Sequence, residues 1–207
     1  MSSAKKLTQV FEHHLPSSAV NYCIGLWNKE PFHFQITRSR KSKLGDFRYR
    51  RGREIQTITL NSDLNPYQFL LTLIHEIAHL RTFKKFGINT SPHGVEWKRT
   101  FVGLMDPILL EKIFPIDLLI PLRKHMLNPK ASSSGDLFLM KEMSKYDLTS
   151  QENKFIFLSD LKLGIKFLLA GREFEKGETR RTRVLCIEVI SGKKFLITQL
   201  AKVELSQ

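Results

Sequence analysis

Two histidines and a glutamate at helical spacing, in His75-Glu76-Ile77-Ala78-His79, carry the clearest chemistry in this 207-residue chain. Residues four apart lie one turn apart on one helical face, so His75 and His79 can turn their imidazoles toward one metal ion. Glu76 lies beside them, placed to take a proton from an attacking water. The pattern points to hydrolysis assisted by zinc. Two ligands are too few, because a catalytic zinc takes three protein ligands and keeps one position open. The extended pattern that continues with Gly and then His is excluded, since Thr82 and Lys85 occupy those positions. The remaining candidates for a third ligand are His93, Glu96, Glu111 and His125. His93 is preferred: the short loop from Gly87 to Pro92 returns the chain toward the helix end that carries His79. Glu96 shares a helical face with His93 and stands as the alternative.

A helix must position the pair, and the sequence marks its ends. Asn65-Pro66 supplies an N-cap and a first-turn proline, and Gly87 supplies the stop. Between them Phe69, Leu70, Leu73, Ile74, Ile77 and Leu80 form an apolar stripe, with His75, Glu76 and His79 on the other side. Upstream, residues 5–15 and 17–29 read as amphipathic helices, with Ser17 as a cap after Pro16. Phe32, Phe34 and Ile36 alternate with polar residues, which predicts a strand. Residues 46–50 and 54–60 predict a hairpin around Arg51-Gly52. Residues 95–104 form a helix after His93, and residues 107–126 are helical in pieces, divided at Pro115 and Pro121. The composition shifts to Asn, Pro, Ala and Ser over 128–134, residues 136–150 are ambiguous, and 155–203 are β-rich. The expected organisation is a domain over 1–127, a linker over 128–150 and a β-rich module over 151–207.

Lys43-Leu44-Gly45, Ile58-Thr59-Leu60-Asn61, Leu73 to Leu80 with its histidine pair, and His93-Gly94-Val95-Glu96-Trp97 occur in order. With these motifs the chain resembles the SprT-like zinc metallopeptidases, which include the Spartan proteases, over about residues 5–125. The resemblance implies an α+β, zincin-like metallopeptidase domain of helices and a small antiparallel sheet. It implies one catalytic Zn2+ held by His75, His79 and His93, with Glu76 as general base and Trp97 beside the third ligand. It also implies a protease that works on proteins bound or crosslinked to DNA. Many members carry a C-terminal zinc ribbon with four cysteines. This chain has only Cys23 and Cys186, so no second, structural zinc is expected. Residues 171–200 keep the short strands and turns of such a ribbon without its cysteines. A β-module of that kind would draw its stability from packing onto the peptidase domain.

The formal net charge is +13. Residues 1–126 hold 19 basic and 10 acidic side chains, so the excess lies mostly in the first half. It concentrates in Arg38, Arg40, Lys41, Lys43, Arg48, Arg50, Arg51 and Arg53, interleaved with Phe47 and Tyr49. Basic residues beside aromatics suit a single-stranded nucleic acid bound without sequence preference. Arg180, Arg181 and Arg183, with Lys193 and Lys194 across a hairpin, form a second cluster. No export signal and no apolar run of membrane length is present, so the expected compartment is the cytoplasm, at the nucleoid in a bacterium. Both cysteines are expected to be reduced core residues. The expected partners are DNA and a protein substrate, with no membrane; the oligomeric state is left open. A rival reading is a non-catalytic nucleic-acid-binding protein, related to transcription, with a structural zinc site. A third is a zinc hydrolase acting on a non-protein amide.

Overall fold

A computed structural model of the chain describes residues 3–40, 42–130, 136–147 and 155–206. The protein is mixed α+β, with six α-helices and two sheets among the described residues. The chain divides into two units: Met1–Ser133 with Glu142–Leu148, and Ser134–Lys141 with Thr149–Gln207.

The first unit begins with α1 (Ser3–His14) and α2 (Ser17–Lys29). Pro16 is the N-cap residue of α2 and makes no side-chain cap bond, so Ser17 is the first helical residue and not the cap the sequence suggested. Three strands follow: β1 (His33–Thr37), β2 (Gly45–Arg48) and β3 (Thr57–Asn61). The expected hairpin is present as the antiparallel pair β2–β3, with Gly52 in its loop at φ +77°. The loop is longer than the spacing predicted, because β3 starts at Thr57 and not at Glu54.

The sheet itself is mixed and not antiparallel: its order is β1-β3-β2, and β1 runs parallel to β3. The cause is a crossing connection between β1 and β2, fastened by one buried side chain. Asn61 Nδ2 donates to the carbonyls of Arg40 (3.2 Å) and Lys43 (2.9 Å), while its Oδ1 accepts from Arg40 Nε at 2.7 Å. A fully used asparagine at the end of the central strand thus fixes where the crossing lies.

The long helix α3 (Pro66–Phe86) packs against this sheet through Phe34–Phe69 and Phe47–Phe83 ring contacts. Asn65 caps it by accepting from Gln68 N at 2.9 Å, and Gly87 ends it at φ +79°. Leu71, Thr72, Ala78 and Thr82 are buried as well as the expected stripe, so α3 is enclosed nearly all round. The helix α4 (Val95–Met105) follows, then a 3-10 turn (Asp106–Ile108) and α5 (Ile116–Met126). Pro121 lies inside α5 without dividing it.

The helix α6 (Leu137–Ser144) falls within the stretch read as a linker, and the boundary between the units lies inside it. Its end belongs to the first unit, where Asn65 Nδ2 donates to Met143 O and to Asp147 Oδ1, both at 2.9 Å. Tyr146 donates its hydroxyl to the Asp117 carboxylate.

The second unit is a six-stranded sheet in the order β4-β9-β5-β6-β7-β8, every pairing antiparallel. The strands are β4 (Ile156–Phe157), β5 (Lys166–Leu169), β6 (Arg172–Thr179), β7 (Arg183–Glu188), β8 (Lys194–Thr198) and β9 (Lys202–Leu205). It carries a core of its own, built on Leu158, Phe167, Phe174, Val184, Cys186 and Val203. The register of the β6–β7 pairing shifts between Lys176 and Thr179. Gly177 sits there because a Cβ would strike the Leu185 carbonyl oxygen of the neighbouring strand.

Candidate metal centre

The three histidines named from the sequence meet. The Nε2 atoms of His75 and His79 lie 3.2 Å apart, those of His79 and His93 2.9 Å, and those of His93 and His75 3.2 Å. The helical period of α3 supplies the first two. The third comes from the turn between α3 and α4, where Gly94 N donates to Ser91 O at 3.0 Å. His93 adopts φ +61°, the left-handed region that an L residue enters at a cost of about 1–2 kcal/mol. Strain of this kind persists where the surroundings demand it, and here it aims one imidazole at two others.

Trp97, fully buried one turn into α4, forms the floor of the cluster. Its ring centroid lies 4.6 Å from those of His75 and His93 and 5.3 Å from that of His79. Phe101 stacks beneath it at 4.9 Å. Burial, and then mutual repulsion, keeps His75 and His79 neutral, with His79 lowered to about 4. Burial also lowers His93.

Three neutral imidazoles whose Nε2 atoms converge cannot all bond to one another, whereas one cation at their centre takes all three lone pairs. Tetrahedral zinc at Zn–N distances of about 2.0–2.1 Å would set its nitrogens about 3.3 Å apart, close to the triangle observed. The three histidines can therefore hold a metal ion, and among the described residues the cluster numbers three.

Glu76 is buried beside this triangle. Burial pushes its carboxyl up to about 8, against a backbone hydrogen bond from Phe47. The charges of Asp46, Arg40 and Lys43 act on it more weakly. Strand β2 lies over it: a Cβ on Gly45 would stand 2.9 Å from Glu76 Oε1 and 2.7 Å from Thr72 Cγ2. Glycine at 45 lets the strand approach the carboxyl this closely. A cavity of about 490 Å³ opens over His75, Glu76, His79 and His93, with β2 along one wall and His125 at its lining.

The other ligand candidates do not join the three-histidine cluster. The Glu96 carboxylate lies near Gly94 in the Ser91–Gly94 turn and does not join the nitrogen cluster. Glu111 is exposed and outside the cavity. His125, on α5, is buried. Sequence reasoning missed the organising part of Asn61 and the covering part of Gly45, although both stood in the motifs it used. A polar residue closing an apolar strand was the available signal for Asn61.

The basic residues disperse. Arg38, Arg50, Arg51 and Arg53 are exposed. Lys43 and Arg48 are exposed but share Asp46, at 2.9 and 2.6 Å. Arg40 is not a surface cation: its Nε is held by Asn61 and its two terminal nitrogens are buried without a hydrogen-bond partner. Its charge acts on Glu76 instead. Lys41 lies outside the described residues. Arg180, Arg181 and Arg183 are exposed at the β6–β7 turn. Lys193 and Lys194 do not join them: Lys194 pairs with Ile187 and Thr198 with Arg183, so the lysines sit at the opposite end of β7, about 13 Å along the strand.

Cys23 and Cys186 are free and buried, and burial pushes the Cys23 thiol up to about 12. No helix among the described residues is long and apolar enough to cross a membrane.

The long helix of this α+β unit and the turn after it thus gather three imidazoles, two of them from a His-Glu-x-x-His run, beside a buried carboxyl, where they could hold a metal ion. The SprT-like family model matches residues 7–107 and bears out the SprT-like resemblance over that stretch. No curated protein and no solved structure matches the chain.

Proposed function

We propose that the protein is a zinc-dependent, zincin-like peptidase that works on proteins associated with nucleic acid. The observation that carries this reading is Glu76: a buried carboxyl, beside three converging imidazoles, that lines an open cavity. A closed structural site would have no use for a titratable group there, which weighs against the non-catalytic alternative.

His75, His79 and His93 would hold the zinc. When bound, zinc supplies Lewis acidity that polarises a carbonyl and makes water easier to deprotonate. The rest falls to the chain. Glu76 accepts the proton of the attacking water and returns it to the leaving amine. A carboxyl that burial holds near 8 is suited to the second step, and a cation beside it favours the first. Trp97 and Phe101 hold the imidazoles in register from below.

Strand β2 offers a way to align a substrate. Asn61 N donates to Leu44 O, and pairing alternates from there, so residues 46 and 48 turn their backbone groups toward β3. Gly45 and Phe47 turn theirs outward, over Glu76. An extended peptide could add along this edge as one more strand. The exposed arginines of the β2–β3 loop, and those of the β6–β7 turn, support nucleic-acid association. The second unit is read as a ribbon that lost its metal and gained the apolar core described above.

The test is Glu76→Gln in the zinc-loaded full chain, with a protein bound to single-stranded DNA as substrate. Zinc content should be unchanged, and cleavage, including self-cleavage, should fall by about 10²–10⁴-fold. Near-normal turnover in the variant would sink the general-base assignment. DNA binding by the wild type with no cleavage of any protein would favour the scaffold reading.

A further inference from the structure

A second concavity lies at the other end of the same sheet. Its volume is about 460 Å³, and it shares no lining residue with the cavity over the histidines. One row of the sheet, His33–Thr57–Arg48, borders it. Trp27 and Phe32 give it aromatic lining, and Lys6 of α1 lines it together with arginines of the β2–β3 loop. Among the described residues four cations line it, Lys6, Arg48, Arg50 and Arg53, and no carboxylate does. Arg48 is partly neutralised by Asp46 at 2.6 Å; among the described residues Lys6, Arg50 and Arg53 make no salt bridge.

The arginine loop is built and not loose. Gln56 is 3% exposed and spends its whole amide on that loop. Its Oε1 accepts from Arg50 N at 2.7 Å, and its Nε2 donates to the carbonyls of Arg50 and Arg53. Arg53 N closes the turn on Arg50 O at 3.2 Å, with Gly52 at φ +77° between them. The indole is fixed as well, since Trp27 Nε1 donates to Phe32 O at 2.9 Å. A buried glutamine that fixes the backbone of Arg50 and Arg53 beside an oriented indole makes sense when the loop must present its arginines to a ligand from one place. The size suits a small ligand. The lining suits an anion that carries a flat ring.

We infer that this pocket binds one nucleotide unit, with the ring against the Trp27–Phe32 lining and the phosphate between Lys6, Arg50 and Arg53. The unit can be a free nucleotide or one residue of a single strand, and both present the same ring and phosphate. The pocket deepens the nucleic-acid reading above and rests on it only for the arginines; it is independent of the peptidase chemistry.

The experiment titrates the full chain with a short fluorescein-labelled oligothymidine and, separately, with thymidine monophosphate. Trp fluorescence and anisotropy are both read. Arg50→Glu with Arg53→Glu should weaken binding by at least about tenfold and lower the log–log salt slope for the oligonucleotide by about 0.7, for one lost phosphate contact. Lys6→Glu, on a different element, should weaken it in the same direction. Trp27→Phe should abolish the ligand-induced fluorescence change while Trp97 remains. Binding of the oligonucleotide alone identifies a single strand as the source, and binding of the monophosphate as well identifies a free nucleotide. The inference is overturned if the double variant binds within about twofold of wild type. It is also overturned if the loss appears only in Arg180→Glu with Arg181→Glu, or if the wild type binds neither probe. Zinc content, measured on the same variants, should stay at the wild-type level, because the pocket shares no lining residue with the three histidines, so failure here leaves the metal-centre reading untouched.

Discussion

The two units spend their interiors differently. In the first, Gln56, Thr59, Asn61, Asn65, Thr72, Glu76, Thr82 and His125 are buried polar groups, and Gln56, Asn61, Asn65 and Glu76 are tied into loops, a cap or the candidate metal centre. In the second, Lys176 is the buried polar residue among those described, and it is satisfied by the carbonyls of Ser159 and Leu161. The rest of that core is apolar. Both units also fasten an arginine turn with a glutamine: Gln56 in the first, and in the second Gln199, whose Nε2 donates to Arg180 O and Arg181 O. Buried polar groups cost stability unless each finds its partners, so a unit that keeps many of them is arranged around something besides packing. All seven histidines belong to the first unit, and so do both tryptophans.

The sharpest way to break the comparison is to remove the largest aromatic from each core. Trp97→Ala and Phe167→Ala should each cost about 3–5 kcal/mol in their own unit. Only Trp97→Ala should also lower zinc affinity, because its ring braces three imidazoles. Trp27 still reports unfolding of the first unit, and hydrogen exchange of the β6–β8 amides reports the second. Equal zinc binding in both variants would mean that Trp97 is ordinary core.

How much of this was legible depends on range along the chain. The proximity of His75, Glu76 and His79 follows from the helical period, and Asn65 and Gly87 mark the ends of α3 locally. The turn that returns His93 is short, so its approach was legible too. The parallel pairing of β1 was not, because it depends on Asn61 reaching back to carbonyls 18 and 21 residues earlier. Arg40 read as a surface cation for the same reason: its partner is far away in sequence. The lysines at 193 and 194 were grouped with Arg180 by charge alone. Composition does not say which end of a strand a turn occupies.

A smaller effect comes from metal and acid. Zinc at about 100 times its Kd should stabilise the first unit by about 2.7 kcal/mol and leave the second unchanged. In chelator, the histidines whose folded pKa lies below their usual 6.5 contribute stability that is present above about 6.5. It is lost as pH falls toward about 4. Glu76, raised to about 8, acts in the opposite sense, costing stability as pH rises from its usual 4.5 through 8. Below 6.5 the histidines outnumber it. The metal-free first unit should therefore be most stable near neutrality, losing about 1.4 kcal/mol per pH unit for each uncompensated proton on the acid side. The second unit, without histidine, should show no such loss between pH 6.5 and 5. Parallel acid sensitivity of tryptophan fluorescence and β6–β8 exchange would erase the distinction.

The smallest effect compares two residues with the same backbone fault. His93 at φ +61° and Ala170 at φ +51° are the left-handed non-glycine residues among those described. Ala170 sits with Gly171 in the two-residue turn that joins β5 to β6, between the paired Leu169 and Arg172. That turn wants positive φ at both places, and glycine meets it without strain. Ala170→Gly should therefore gain stability: about 1–2 kcal/mol of strain is relieved, against about 0.4–1 kcal/mol of added chain entropy. His93→Gly relieves the same strain but removes an imidazole, so in chelator it should stay within about 1 kcal/mol of wild type. With zinc present it should lack the ligand stabilisation that the wild type gains. If His93→Gly lost several kcal/mol in chelator, the histidine would be holding the fold through its contact with Trp97, and its strained backbone would have to be explained by packing and not by the metal.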